Sequence, residues 1–221
     1  MVTAGRPQRI YDLSVPVRDG VDWYREPDSP PVKIREVGSL AEDGWVSHTL
    51  SLMVLNGTTY LETAAHVYPD APTLDQMPPE RFLTRAFVVH LVRDGQVIPA
   101  PEQALAEFEK GADAILLHCG WDEHVHAEDY YYSSPYFSPE LQQWLLEREP
   151  AILGGDMLSF DHPEDTSMPF IRAFFRTGGM ILCPLRGLAE LPSEVVTFCA
   201  APTKLSNANA APCRALAWCD D

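Results

Sequence analysis

The chain has 221 residues, 46% of them hydrophobic, and 32 Asp and Glu face 16 Lys and Arg, a formal net charge of −16. That length and apolar share suit one globular domain over residues 1–221 with a real core. An acidic balance of this size argues for solubility and excludes nucleic acid and anionic membrane as partners, because both need a basic surface. No apolar run approaches the length of a membrane span. Residues 1–7 are polar and unlike a signal peptide. The five cysteines are odd in number and form no C-x-x-C pair, which points to reduced thiols in a cytoplasmic protein rather than a zinc ribbon.

Apolar runs bounded by Gly, Pro and Asp predict buried strands at 10–15, 46–55, 86–92, 114–118, 151–153 and 180–183. Helices are predicted between them. Residues 101–110 carry Ala104, Leu105 and Phe108 on one face, with Glu102 early and Lys110 late, as the helix dipole favours. Ser138 is the N-cap of a second helix, with Pro139 in its first turn and Leu141, Trp144, Leu145 and Leu146 as its apolar face. A third covers 168–177 and stops at Gly178-Gly179. Strands alternating with helices make an α/β domain. Two loops are rich in rings: 23–31, with Trp23, Tyr24 and three prolines, and 122–136, with His124, His126 and Tyr130 to Tyr132. Each reads either as a self-packed surface loop or as the wall of a pocket for an apolar ring.

The segment Asn56-Gly57-Thr58-Thr59-Tyr60-Leu61-Glu62-Thr63-Ala64-Ala65-His66 carries the most information. It resembles the H-x-G-T-H-x-D-x-P-x-H signature of the cyclase family, which includes kynurenine formamidases and isatin hydrolases. Other stretches match that family in order: Ile10 to Pro16, Ala114 to Trp121, Gly154 to Asp161 and Ala211 to Ala215. The resemblance implies a swivelling β/β/α domain with a mixed sheet flanked by helices, assembled as a homodimer or larger homo-oligomer. It also implies that the aromatic segment at Trp23 and Tyr24 helps enclose a small-molecule substrate.

In metal-dependent members, two His and an Asp of the signature, with a later His and Glu, bind a divalent ion that generates hydroxide. The resemblance places those five positions at Asn56, Tyr60, Glu62, Ile171 and Cys183. The last signature histidine, an acid/base, falls on His66. The expectation is therefore a site with no cofactor and no metal, with His66, Glu62, Tyr60 and Cys183 catalytic. Here His66 is the proton carrier, Glu62 orients it, and Cys183 is a nucleophile if His66 lowers its pKa. Asn56, Thr59, Trp23, Tyr24 and Ile171 are the expected substrate contacts. Asp156 and Asp161 are read as loop anchors, and Arg214 as the partner of a carboxylate inside the fold. Ring closure, dehydration or isomerisation of a small carbonyl-rich or aromatic metabolite suits this set. A metal-dependent arylformamidase-like hydrolase with an altered site and a non-catalytic binding protein are the alternatives.

Overall fold

A computed structural model of the chain describes residues 9–26, 28–100, 113–192 and 194–219. The helix predicted at 101–110 lies outside them. In chain order the strands are β1 (Tyr11–Asp12), β2 (Lys33–Val37), β3 (Ser47–Ser51), β4 (Tyr60–Glu62), β5 (Leu83–His90), β6 (Val97–Ile98), β7 (Ala114–His118) and β8 (Tyr136–Phe137). Helix α1 (Pro139–Arg148), β9 (Ile152–Gly155), α2 (Pro169–Phe175), β10 (Met180–Cys183), β11 (Val195–Pro202) and β12 (Ala210–Trp218) follow. Among the described residues no helix is long and apolar enough to cross a membrane.

The main sheet is mixed and closes on itself. Its order is β12-β11-β5-β7-β9-β10-β4, and β4 pairs back onto β12, so seven strands make a barrel, with β1 added beside β12. Strands β5, β7, β9 and β10 run parallel to their neighbours in that series, and the remaining contacts are antiparallel. Side chains alternate across a strand, so each strand feeds two cores. One cluster draws on all seven barrel strands, with Leu61, Val88, Leu116, Ile152, Leu182, Phe198 and Ala215 among its members. Only the barrel interior meets all seven strands at once. Its small bore suits the alanines at 86, 114, 200, 211, 215 and 217. A Cβ on Gly154 would come within 2.7 Å of Leu116 Cδ2, so β9 needs glycine there.

The alternate positions face outward. Phe87, Val89, Ile115, Leu117, Leu153 and Ile181 pack with Leu141, Trp144 and Leu145 of α1 and with Phe170, Phe174 and Phe175 of α2. Each fully buried Leu, Ile or Phe contributes about 1.5–3 kcal/mol. Helix α1 starts as predicted, with Ser138 Oγ accepting from Leu141 N. Asp161 closes the start of α2, accepting from Phe170 N at 2.9 Å and Ile171 N at 3.0 Å.

Two expectations are corrected. The stretch at 46–55 is not a buried strand. Only Ser47–Ser51 is extended, every residue of it is exposed, and it pairs with β2 in a separate hairpin. Its polar Ser-His-Thr-Leu-Ser sequence has no apolar face to bury, while Val54 and Leu55 pack on the outer core beyond the strand. Arg214 does pair with a carboxylate, Asp12, at 2.6 and 3.0 Å, but the pair sits at the surface. In the 122–136 loop His124 stacks on Trp121, and His126 faces Arg18.

Candidate functional site

The site begins with the register of two strands. Tyr60 and Glu62 lie two apart on β4, and Cys183 of β10 is the cross-strand partner of Tyr60. Leu61 and Leu182, between them, fill the barrel, so Tyr60 and Cys183 pack in the outer core. After β4 the chain tightens into the 3-10 turn Ala64–His66, which Thr63 caps by accepting from Ala65 N. That single turn carries His66 back over Glu62.

These side chains open on a cavity of about 290 Å³. Tyr60, Glu62 and His66 form one side, Tyr24 and Tyr131 another, and Ile171 of α2 a third. The Asp161–His162 corner, Asp165 and Met168 complete the mouth. Tyr24 and Tyr131 lie against one another with ring centroids 4.4 Å apart. Both ring-rich loops therefore contribute a wall.

His66 is held between two side chains. Its Nδ1 lies 3.0 Å from Glu62 Oε1 and 3.0 Å from the Asn209 side-chain amide. The Glu62 contact is off-line for a hydrogen bond, and Oε1 has no other partner although it is buried. Glu62 beside the ring raises His66 above an ordinary histidine, against the burial that opposes it. Asn209 was not foreseen from sequence. It stands just before β12, and its backbone oxygen accepts from Thr63 N, which ties it to the turn bearing His66.

A second string of groups runs through Tyr60. The Cys183 thiol donates to Tyr60 Oη at 3.1 Å, and the Tyr24 phenol lies close by. Burial, with Cys183 nearby, pushes both phenols well above the usual range, so both stay protonated and able to donate. Burial also pushes the Cys183 thiol upward, and Glu62 adds to this. Cys183 is thus held as a neutral thiol against a phenol, not as a thiolate against His66, which corrects the nucleophile expected there.

Three expected substrate contacts turn out to be framework. Asn56 is fully buried: its Oδ1 accepts from Trp23 N at 2.7 Å, and its Nδ2 donates to Ser29 Oγ and Asp22 Oδ1. It ties down the loop that carries Tyr24. Thr59 Oγ1 accepts from Val15 N and donates to Pro184 O, joining three segments beneath the site. Trp23 is buried, packs tilted against Tyr130 and donates from its indole to Val125 O, so it backs the wall rather than facing the cavity. Tyr24 and Ile171 do line it.

The resemblance implies a divalent ion at these positions, and the donors present do not fit one. The Asn56 amide is consumed on both sides, Ile171 offers hydrocarbon, and Tyr60 is a neutral phenol bonded to a neutral thiol. Glu62 is left as the one good hard ligand beside His66. Elsewhere among the described residues, His118, Asp122 and Asp156 converge. Asp156 is already occupied, accepting from Cys119, Gly120 and Trp121 N, while Asp122 accepts from Gly187 N. Asp156 and Asp161 are thus the loop anchors that the sequence indicated.

Comparison with known proteins places this geometry. The Cyclase family model matches residues 11–162. The kynurenine formamidase of Paracidovorax citrulli (strain AAC00-1) is 23% identical over 223 residues, covering 95% of this chain and 96% of that protein. Among solved structures, isatin hydrolase A from Labrenzia aggregata, bound to benzyl benzoate, has a TM-score of 0.81 at 22% identity, covering 96% of this chain and 94% of that one. Isatin hydrolase A from Ralstonia solanacearum gives 0.81 at 20% identity, over 96% and 92% of the two chains. Likeness at this level shows a shared fold.

Proposed function

We propose that this chain, which belongs to the cyclase family, is an enzyme that moves protons at His66 on a small carbonyl-bearing substrate and uses no catalytic metal ion. The observation that carries this reading is the pairing of His66 with Glu62 at 3.0 Å on the wall of a 290 Å³ cavity, where the metal-ligand positions hold Asn56 and Ile171.

The geometry divides the labour. Nδ1 of His66 is engaged by Glu62 and Asn209, so Nε2 is the atom that takes or returns a proton. Glu62, with its carboxylate 3.0 Å from the ring, stabilises the imidazolium that forms. Tyr24 and Tyr60 stay neutral and donate toward a carbonyl oxygen as charge develops on it. Removing a proton beside a carbonyl and returning it to another carbon is an isomerisation; returning it to a β-hydroxyl that leaves as water is a dehydration; and an internal amine or hydroxyl that adds to the carbonyl carbon, giving its proton to His66 as the oxygen gains one, closes a ring. None of these needs a metal-bound hydroxide. A second reading, hydrolysis of an aryl amide, is favoured by the names of the relatives. In that case His66 would deprotonate a water directly.

The test is a turnover screen of cyclic and open-chain aryl carbonyl compounds, including isatin and an aryl formamide, with and without chelator. Turnover that survives chelation and falls about 10²–10⁴-fold in His66→Ala supports the reading. Turnover that chelator abolishes and added zinc or manganese restores sinks it. Amide hydrolysis as the only activity, insensitive to chelator, would select the second reading.

A further inference from the structure

The charge lining the cavity is lopsided. Glu62, Asp161 and Asp165 face it, against the two histidines His66 and His162, and among the described residues no Lys or Arg lines it. Glu62 is matched by His66. Asp161 occupies the start of α2, so the backbone N–H groups there are spent on a carboxylate of the chain itself. Asp165 accepts from Ser167 N and Oγ, bonds to its charged form that hold its pKa below the usual range. Arg172 is close enough to oppose protonation of His66, but its Nε donates to Ser167 O and it lines no part of the cavity. The rings of Tyr24, Tyr60 and Tyr131 line the same cavity, and aromatic rings attract cations.

From this arrangement we infer that the cavity selects a small ring-bearing ligand that is uncharged or cationic, and turns away carboxylates. The inference rests on the cavity being the substrate site of the function proposed above. The phenols of Tyr24 and Tyr60 can meet one oxygen and His66 is already matched by Glu62, but no Lys or Arg lines the described wall to neutralise a carboxylate, which would lose its hydration and meet a second negative charge at Asp165. An ammonium or amide on the ring gains Asp165 and the tyrosine rings instead. The cavity lies at the small end of ligand pockets, which suits one or two fused rings.

Three probes that share one ring and differ in charge test it: benzylamine, benzamide and benzoate. Each would be titrated into the full chain by calorimetry near neutral pH and at fixed ionic strength. The expected order is benzylamine, then benzamide, then benzoate, with about ten-fold or more in Kd between the first and last. Asp165→Asn should shrink that ratio about three-fold, and Ile171→Trp, which fills the cavity, should abolish binding of all three. Benzoate binding as tightly as benzylamine overturns the inference, as does an unchanged ratio in Asp165→Asn or failure of all three to bind. Benzylamine binding that survives Ile171→Trp also overturns it, because attraction to the acidic surface would then suffice. The two readings fail separately. A preserved ranking beside turnover that ignores His66→Ala removes the proposed chemistry alone. Lost turnover in His66→Ala beside a reversed ranking removes the charge selection alone.

Discussion

The two faces of the β4–β10 pair are built from neighbouring residues and do opposite work. Facing the barrel, Leu61 and Leu182 are fully buried among aliphatic and small side chains. Facing outward, Tyr60, Glu62 and Cys183 gather polar atoms around a cavity, and one buried oxygen of Glu62 lacks a sound hydrogen bond. A stable interior tolerates no such orphan without a return. In the function proposed above the outer face gives up stability for chemistry, and the closed barrel behind it holds the geometry.

The sharpest separation of the faces comes from one substitution on each. His66→Ala should lower kcat/KM about 10²–10⁴-fold with a smaller loss of stability than a core truncation, limited to the pair His66 makes with Glu62. Leu182→Ala should do the reverse, costing about 2–5 kcal/mol in denaturant unfolding with kcat intact in the folded fraction. If Leu182→Ala destroys activity at temperatures where the protein remains folded, the faces are not independent.

A smaller effect is expected at Asn56, whose hydrogen bonds fix the Trp23–Tyr24 loop. Asn56→Ala should cost about 1–3 kcal/mol, because the groups it leaves are buried, and should raise KM more than it lowers kcat. A selective fall in kcat would instead place Asn56 in the chemistry.

The smallest effect is a shift with pH. Glu62 raises His66, so Glu62→Gln should move the His66 midpoint down toward the ordinary value of about 6.5, read by NMR titration of the ring. For His66 acting as a base, the rising limb of the pH–rate profile moves to lower pH with it. The sign for stability follows the same linkage. The pair stabilises the fold fully below about pH 6.5, and that contribution is lost as pH climbs through the raised midpoint. The stability difference between wild type and Glu62→Gln should therefore shrink across that window. A midpoint that does not move would show that Glu62 does not act on the ring.

What the sequence revealed depended on how local the signal was. Strands β5, β7 and β10 are apolar runs and were legible, as was α1 from Ser138 and Pro139. Strands β11 and β12, which close the barrel, were missed. Strand β12 holds four alanines and Pro212, a composition with low strand propensity, while β11 opens on the strand formers Val195 to Phe198 and ends in Ala200, Ala201 and Pro202. His66, Glu62, Tyr60 and Tyr24 were placed by resemblance and do share one cavity. Asn209 could not be foreseen, because it reaches His66 from 143 residues away. Asn56 and Thr59 misled for the opposite reason. Their motif positions suggested ligands, and only the tertiary contacts show every polar atom already engaged.

The central claim is that the outer face works by proton transfer without a catalytic metal, and metal stoichiometry tests it most directly. Protein purified without a metal-binding tag would be measured by elemental mass spectrometry while its turnover is followed. The account predicts full turnover with zinc, manganese and iron each far below one equivalent. Near-stoichiometric metal whose removal abolishes turnover would contradict it, and would make Glu62 and His66 ligands rather than a proton-transfer pair.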